Sequence, residues 1–234
     1  SLACIAIQAN QNEMHGGQSV PNFDYSMAPG VAKTYIKEYY DALAQSLEVR
    51  LGISYADACA IAKNIKKELP DPTLSNADAF EAELCKWFTQ ADDKFGLDGK
   101  VLVAAHKNAA ETALASTDKA TFQAMEALVH NLNTMNSRAG AQVPFSSVNY
   151  GTDTSPEGRM VMKNLLLATD NGLGNGETPI FPVQIFKVKE GINYNPEDPN
   201  YDLFRLAIKT SAKRLFPNFS FIDAPFHLEY YKPG

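Results

Sequence analysis

Three polar stretches hold the residues best suited to bind or transform a ligand. His15-Gly16-Gly17-Gln18-Ser19 sets donors and acceptors beside two glycines, which permits close backbone approach to a ligand. A tight turn with a surface histidine fits the same residues, and Ser19 has no evident base and orienter, so a serine-hydrolase triad is not supported. Asn136-Ser137-Arg138-Ala139-Gly140-Ala141-Gln142 leads into Val143-Pro144-Phe145-Ser146-Ser147. Small residues around one arginine and one glutamine suit recognition of a planar polar group or a phosphate, because guanidinium offers forked donors. A plain helix-to-strand connection capped by Gly140 fits equally. Gly172-Leu173-Gly174-Asn175-Gly176 follows a helical pattern and precedes a strand-like one. Phosphate cradles of the dinucleotide and Walker types need the reverse order, with a helix N-terminus supplying amides. Two readings remain: a helix stop with a flexible turn, or a backbone-lined loop facing a ligand.

The other reactive side chains are isolated. His227 follows Ala224-Pro225-Phe226 at the end of a predicted strand, a common ligand position in parallel sheets and a common place for a structural histidine. His106 and His130 sit in helical patterns without acidic or cysteine partners at ligand spacing, so no metal is assigned to them. Cys4, Cys59 and Cys85 are widely spaced and form no CxxC pair, which reads as buried reduced thiols. The residues alone describe a polar pocket without a nucleophile–base pair or a metal set.

These residues must be positioned by helices first and strands later. Ala28-Pro29-Gly30 is expected to break the chain, after which Val31, Tyr35, Tyr39, Leu43 and Leu47 recur every fourth residue. Ser54-x-x-Asp57 resembles a capping box for a second helix that Pro70-Asp71-Pro72 ends. Ser75 or Asn76 caps a third helix with Phe80, Leu84, Trp87 and Phe88 on one face, closing near Gly96. A short helix over residues 101–114 and another over 119–135 follow. Residues 141–148 read as a short strand. Ser155-Pro156 starts a helix that runs to Asn171 and stops at Gly172. Residues 178–188 read as a buried strand in which Pro179 and Pro182 confine regular pairing to the later part. Asp198-Pro199 starts a helix ending before Pro217, and residues 218–224 form a last strand. Strand, helix, strand, helix, strand predicts parallel pairing with helical crossovers, an α/β class. The division expected is one incomplete domain over residues 1–234, mainly helical to 135 and strand-bearing from 136.

With 21 basic and 27 acidic residues the formal charge is −6, and no basic run is present, which argues against a nucleic-acid groove. No apolar stretch approaches the roughly 20 residues that span a bilayer, so a membrane role is not expected. The chain opens on an apolar segment without Met or a signal sequence and stops just after an apolar run. Both ends read as cuts through a larger protein.

Long stretches carry a family resemblance. NQNEMHGGQS (residues 10–19), residues 130–204 beginning HNLNTMNSRAGAQVPFSSVNYGTDTSPEGRMVMKNLLLATDNGLGNGETPIFP, and SAKRLFPNFSFIDAPFHLEYYKPG (residues 211–234) resemble the oxygen-sensitive, class III ribonucleotide reductases. Residues 33–120 match only in helical character. The resemblance implies part of the ten-stranded α/β barrel shared by ribonucleotide reductases and glycyl radical enzymes, with a helical dimer-interface layer. It implies an oxidoreductase reducing ribonucleoside triphosphates to deoxyribonucleoside triphosphates in the cytoplasm. A glycyl radical generates a thiyl radical, and formate is the usual reductant. Deoxynucleotide and ATP effectors, a structural zinc, a homodimer and a radical-SAM activating enzyme belong to the same picture.

By resemblance, Gln18, Gln142, Ser146, Ser147 and Asn149 are candidate substrate contacts. Ser137, Arg138, Gln123 and Glu126 are candidate effector contacts, and the helices over residues 31–51 and 119–135 look like the dimer-facing pair. The family's radical cysteine motif, glycyl-radical segment, four-cysteine zinc site and ATP cone match nothing in these residues. Cys4, Cys59 and Cys85 are therefore given no radical role, and the isolated chain is expected to be inactive. The alternative is a non-catalytic nucleotide-binding and dimerisation module. A different glycyl radical enzyme, such as an acyl lyase, is a third reading.

Overall fold

A computed structural model describes residues 2–14, 16–95, 98–135 and 143–225, with the side chains of residues 91–95 left out. The chain divides into two compact units, residues 1–29 with 120–234, and residues 30–119. The division falls inside two long helices, α2 (Phe23–Leu51) and α5 (Gly99–Thr134).

The unit of residues 30–119 is helical. It holds the later part of α2, then α3 (Tyr55–Glu68), α4 (Ala77–Phe95) and the first part of α5. Ser54 caps α3 as the sequence suggested: its hydroxyl accepts from the Asp57 amide and donates to the Asp57 carboxylate. Tyr39, Leu43 and Leu47 of α2 meet Ala58, Ala62 and Ile65 of α3, Phe80 and Leu84 of α4, and Leu102 of α5 in one buried core. Ala105, Ala109 and Ala113 continue the α5 stripe at four-residue spacing, and their small size lets neighbouring helices approach closely. The Trp87 indole N–H donates to Glu68 at 2.6 Å, so the half-polar ring is satisfied where it packs.

Two expectations fail here. Helix α2 runs through Ala28-Pro29-Gly30 instead of starting after it. Proline removes one donor and leaves the Tyr25 carbonyl without its helical partner, but Tyr25 and Pro29 both lie on an exposed face where water supplies a substitute. The two helices expected over residues 101–114 and 119–135 are one continuous α5. Ser116, Thr117 and Asp118 suit a cap by type, yet Thr117 is fully buried, so packing holds the helix across them.

The other unit contains α1 (Leu2–Glu13), the start of α2 and the later part of α5. It also holds β1 (Gln18–Val20), β2 (Ser146–Tyr150), α6 (Pro156–Asn171), β3 (Val183–Val188), α7 (Tyr201–Arg214) and β4 (Asn218–Phe221). The four described strands form a parallel sheet in the order β1-β2-β3-β4. The alternation over β2, α6, β3, α7 and β4 is the one read from the sequence; α1 and β1 were not expected. Ser155 caps α6 through the Gly158 amide, and Gly172 ends it at φ +80°, where a Cβ would lie 2.6 Å from the Glu177 carbonyl oxygen. Asp198 spends its carboxylate on the Tyr194 and Asn195 amides, so α7 begins after it, at Tyr201.

Register separates the sheet's two faces. Ser146, Val148 and Tyr150 share one face with Gln18, Gln184 and Phe186. Helices cover that face: Gln184 donates to Thr169 of α6, and Phe186 stacks on Phe204 of α7. Ser19, Ser147, Asn149, Ile185 and Lys187 lie on the opposite face.

Candidate functional site

The sheet face away from α6 and α7 is the more polar of the two, and its polar groups cluster around β2. Ser147 pairs in register with Ser19, and Asn149 sits two residues further on. Among the described residues, neither the buried Asn149 Oδ1 nor the buried Ser146 Oγ on the helix-covered side meets a hydrogen-bond partner. A buried polar atom without a partner carries a desolvation penalty that a bound ligand or water can relieve. Of the five proposed substrate contacts, the structure therefore brings Ser147 and Asn149 together on one face. Gln18 and Ser146 pair with each other on the other face, and Gln142 lies outside the described residues.

The carboxyl ends of β1, β2 and β3 are joined by groups that sequence reasoning missed. Asp24, fully buried in the first turn of α2, accepts the amides of Gly151, Thr152 and Asp153 on one oxygen at 2.9, 3.0 and 3.1 Å. Lys187 extends from β3 to the Pro21 carbonyl at 2.6 Å and the Asn22 side-chain oxygen at 2.7 Å. Burial draws the Lys187 ammonium below the ordinary lysine range, and the nearby Asp24 charge opposes that shift. Asn193 donates to the carbonyls of Gly151 and Lys187. The loop after β2 is thus held by Asp24, Asn193 and Asn200, whose side-chain amide donates to the Gly151 and Asp153 carbonyls, at the edge where parallel sheets commonly bind ligands. The one local signal was the acidic residue in the first turn of a helix; its partners lie 127 to 129 residues away.

Of the HGGQS stretch, His15 lies outside the described residues. Gly17 does make a close approach, but to protein: a Cβ there would lie 2.7 Å from the Phe145 ring. His227, Ser137 and Arg138 also lie outside the described residues.

A second feature gathers the remaining candidates. Gln123 and Glu126 are exposed on the later part of α5 and line a hollow of about 430 Å³ with His130 and Asn131. The opposite wall is the loop after α6, with Gly172, Leu173, Gly174 and Gly176. The glycine-rich segment is thus both a helix stop and one wall of a hollow. The Gly172 amide closes the helix onto Ala168 and Thr169, and the Leu173 amide binds the Glu177 carbonyl. Main-chain groups beside side-chain amides, a carboxylate and an imidazole can read a polar, flat ligand such as a base.

A parallel α/β sheet with polar groups on the face away from α6 and α7 and at its carboxyl edge is a common setting for binding a small molecule. Comparison with known proteins gives the family. The family model for anaerobic ribonucleoside-triphosphate reductase matches residues 1–233, and the chain belongs to that family. Relatives carrying that name include one from Haemophilus influenzae, 37% identical over 107 residues that cover 45% of this chain and 15% of the relative. One from Enterobacteria phage T4 is 39% identical over 107 residues, 45% of this chain and 18% of the relative. One from Escherichia coli (strain K12) is 35% identical over 103 residues, 44% of this chain and 14% of the relative. The chain matches less than one fifth of the length of each.

Proposed function

We propose that the chain is part of the catalytic subunit of an enzyme that reduces ribonucleoside triphosphates to their deoxy forms without oxygen. The observation that carries the reading is the family match along residues 1–233. The polar face away from α6 and α7 supports it, since a triphosphate-bearing ribose needs hydroxyl and amide partners rather than an apolar wall. In this reading Ser147 and Asn149 contact the ribose, and the Asp24-anchored loop after β2 sets their distance from the strand ends. Gln18 and Ser146 position β1 against β2, and Gln142 reaches the substrate base.

The hollow between α5 and the glycine-rich loop is proposed to hold the base of a deoxynucleotide effector, with Gln123 and Glu126 as its contacts and Ser137 and Arg138 completing the site. The sheet is proposed to form part of a ten-stranded barrel in a cytoplasmic homodimer regulated by nucleotides, ATP among them. A glycyl radical, installed by a radical-SAM partner, would supply the hydrogen-abstracting chemistry; this chain's residues bind and orient. The chain's three cysteines do not make a four-cysteine zinc site, and among the described residues no three His, Cys, Asp or Glu side chains come together around a metal.

The test is anaerobic turnover by the activated full-length protein, with each ribonucleoside triphosphate and with Asn149→Ala and Glu126→Gln variants. Asn149→Ala should raise KM or lower kcat for every substrate, whereas Glu126→Gln should change only the effector's influence on substrate choice. Absence of deoxynucleotide product from the activated parent protein would overturn the reading.

A further inference from the structure

Helix α7 ends against the hollow's glycine-rich wall, and its last residue is an arginine. Arg214 Nε and Nη2 donate to the Asp170 carbonyl at 2.9 and 2.7 Å, and Nη2 also reaches Asn171 at 3.1 Å. Its Nη1 donates to the Gly176 carbonyl at 2.7 Å. One guanidinium therefore holds both ends of the segment between Asn171 and Gly176. The neighbouring Lys213 adds bonds to the Asp170 carbonyl at 3.1 Å and carboxylate at 3.0 Å.

The chemistry of the loop explains why such a clamp is needed. Carbonyls in the last turn of α6 lack helical partners and carry the negative end of the helix dipole, so a cation is favoured there. Gly172, Gly174 and Gly176 give the loop more conformational freedom than other residues would, and that freedom must be removed before its backbone can face a ligand in one geometry. Its internal bonds, from the Leu173 amide to Glu177 and from the Gly176 amide to Leu173, only close the loop on itself. The Glu177 carboxylate likewise turns inward, onto the Asn175 amide at 3.0 Å and side chain at 3.2 Å. Arg214 ties the loop to a separate helix. A lysine at 214 would keep the charge but not the fork that spans two separated carbonyls.

We propose that Arg214 is a positioning residue that fixes the glycine-rich wall of the α5 hollow in its ligand-binding geometry. The inference rests on the reading of that hollow as a nucleotide site only for the identity of the ligand; the clamp itself is a statement about the loop. Arg214 is followed by Leu215 in a left-handed turn and then by β4, so the ligand wall is fastened at the end of α7 just before the chain joins the sheet.

The experiment uses the full-length protein and its Arg214→Ala and Arg214→Lys variants, with folding of each confirmed by circular dichroism. Hydrogen exchange of the Leu173 and Gly176 amides without nucleotide reads the loop directly. Binding of dATP, dGTP and dTTP by calorimetry reads the site. Arg214→Ala should speed exchange at both amides and weaken binding of the preferred nucleotide roughly tenfold, as expected when only about a tenth of the molecules present a competent wall. Millimolar guanidinium ion should restore both readouts, which it would not do for general structural damage. Arg214→Lys should recover little, and it serves alone if the alanine variant does not fold. Unchanged loop exchange, or a defect indifferent to guanidinium, overturns the proposal. If exchange responds as expected but Gln123→Ala and Glu126→Gln leave nucleotide binding intact, the clamp stands and the effector reading of the hollow fails. If those variants weaken binding while Arg214→Ala does not, the clamp has no role in the site and the proposal fails.

Discussion

Replacing Asp24 by alanine is the most demanding test of how this fold holds its sheet edge. The carboxylate is fully buried, and one of its oxygens accepts three successive amides, those of Gly151, Thr152 and Asp153. Gly151 and Asp153 are buried and Thr152 half-buried, so water does not readily replace the lost acceptor. A hydrogen bond to a charged group contributes roughly 1.5–3 kcal/mol. Three sharing one oxygen are not additive, which brings the expected loss to roughly 3–5 kcal/mol. Lys187 also loses the charge that opposes its desolvation. A loss of that size is a large part of the roughly 5–15 kcal/mol that holds a typical domain. Asp24→Asn keeps an acceptor without the charge and should lose roughly a third as much. Urea unfolding followed by far-UV circular dichroism gives the totals, and hydrogen exchange at the amides of 151–153 localises them. A change under about 1 kcal/mol for the alanine variant, or unaltered exchange at those amides, would refute the reasoning.

Two further expectations concern buried polar pairs. Burial holds the His106 imidazole below its ordinary pKa of 6.5, with Glu81 opposing and Lys107 reinforcing the shift, and the ring meets the Tyr39 hydroxyl at 2.8 Å. A depressed histidine pKa means the unfolded chain binds the proton more readily. The helical unit's stability should therefore be full above pH 6.5 and fall as pH drops through that value toward the folded-state pKa. The Tyr39 phenol stays protonated through burial, so a charged ring would leave one of the two facing hydrogens without an acceptor. Unfolding midpoints between pH 5 and 8 should show that slope in the parent and a flatter one in His106→Gln; equal slopes would exclude His106 as the source. In the sheet unit, Tyr150 donates to Gln184 at 2.7 Å, Gln184 donates to Thr169 at 2.7 Å, and Thr169 donates to the Leu165 carbonyl at 2.8 Å. Tyr150→Phe leaves the buried Gln184 oxygen unpaired and should lower stability by about 1–3 kcal/mol with no change in fold. Denaturant midpoints indistinguishable from the parent would count against it.

The elements legible in the sequence are those whose boundaries are set by neighbouring residues. Ser155 and Pro156 start α6 and Gly172 ends it, because a cap, a missing donor and a left-handed turn act within one helical turn. Pro179 and Pro182 keep the start of the following segment out of the ladder, and β3 begins at Val183. Strand β1 was invisible because three residues have no periodicity to read; Gln18, Ser19 and Val20 are a strand only because β2 lies beside them. Continuity of α5 through Ser116, Thr117 and Asp118 was likewise decided by burial, against residue types that favour caps.

The candidate site divides along the same line. Sequence by itself determined the family, through long matching stretches, and the residue types available to a ligand, among them Ser147, Asn149, Gln123, Glu126 and the glycines after α6. Strand register, not the sequence, separated Gln18 and Ser146 from Ser147 and Asn149. Which face α6 and α7 cover was settled only by packing. Tertiary structure alone decided that Asp24 anchors a loop 127 residues away and that Arg214 clamps a glycine segment 38 residues before it. Capping and turn formation are local free-energy differences written in adjacent residues. A buried carboxylate or a clamping guanidinium is defined by partners that only folding brings within hydrogen-bond distance.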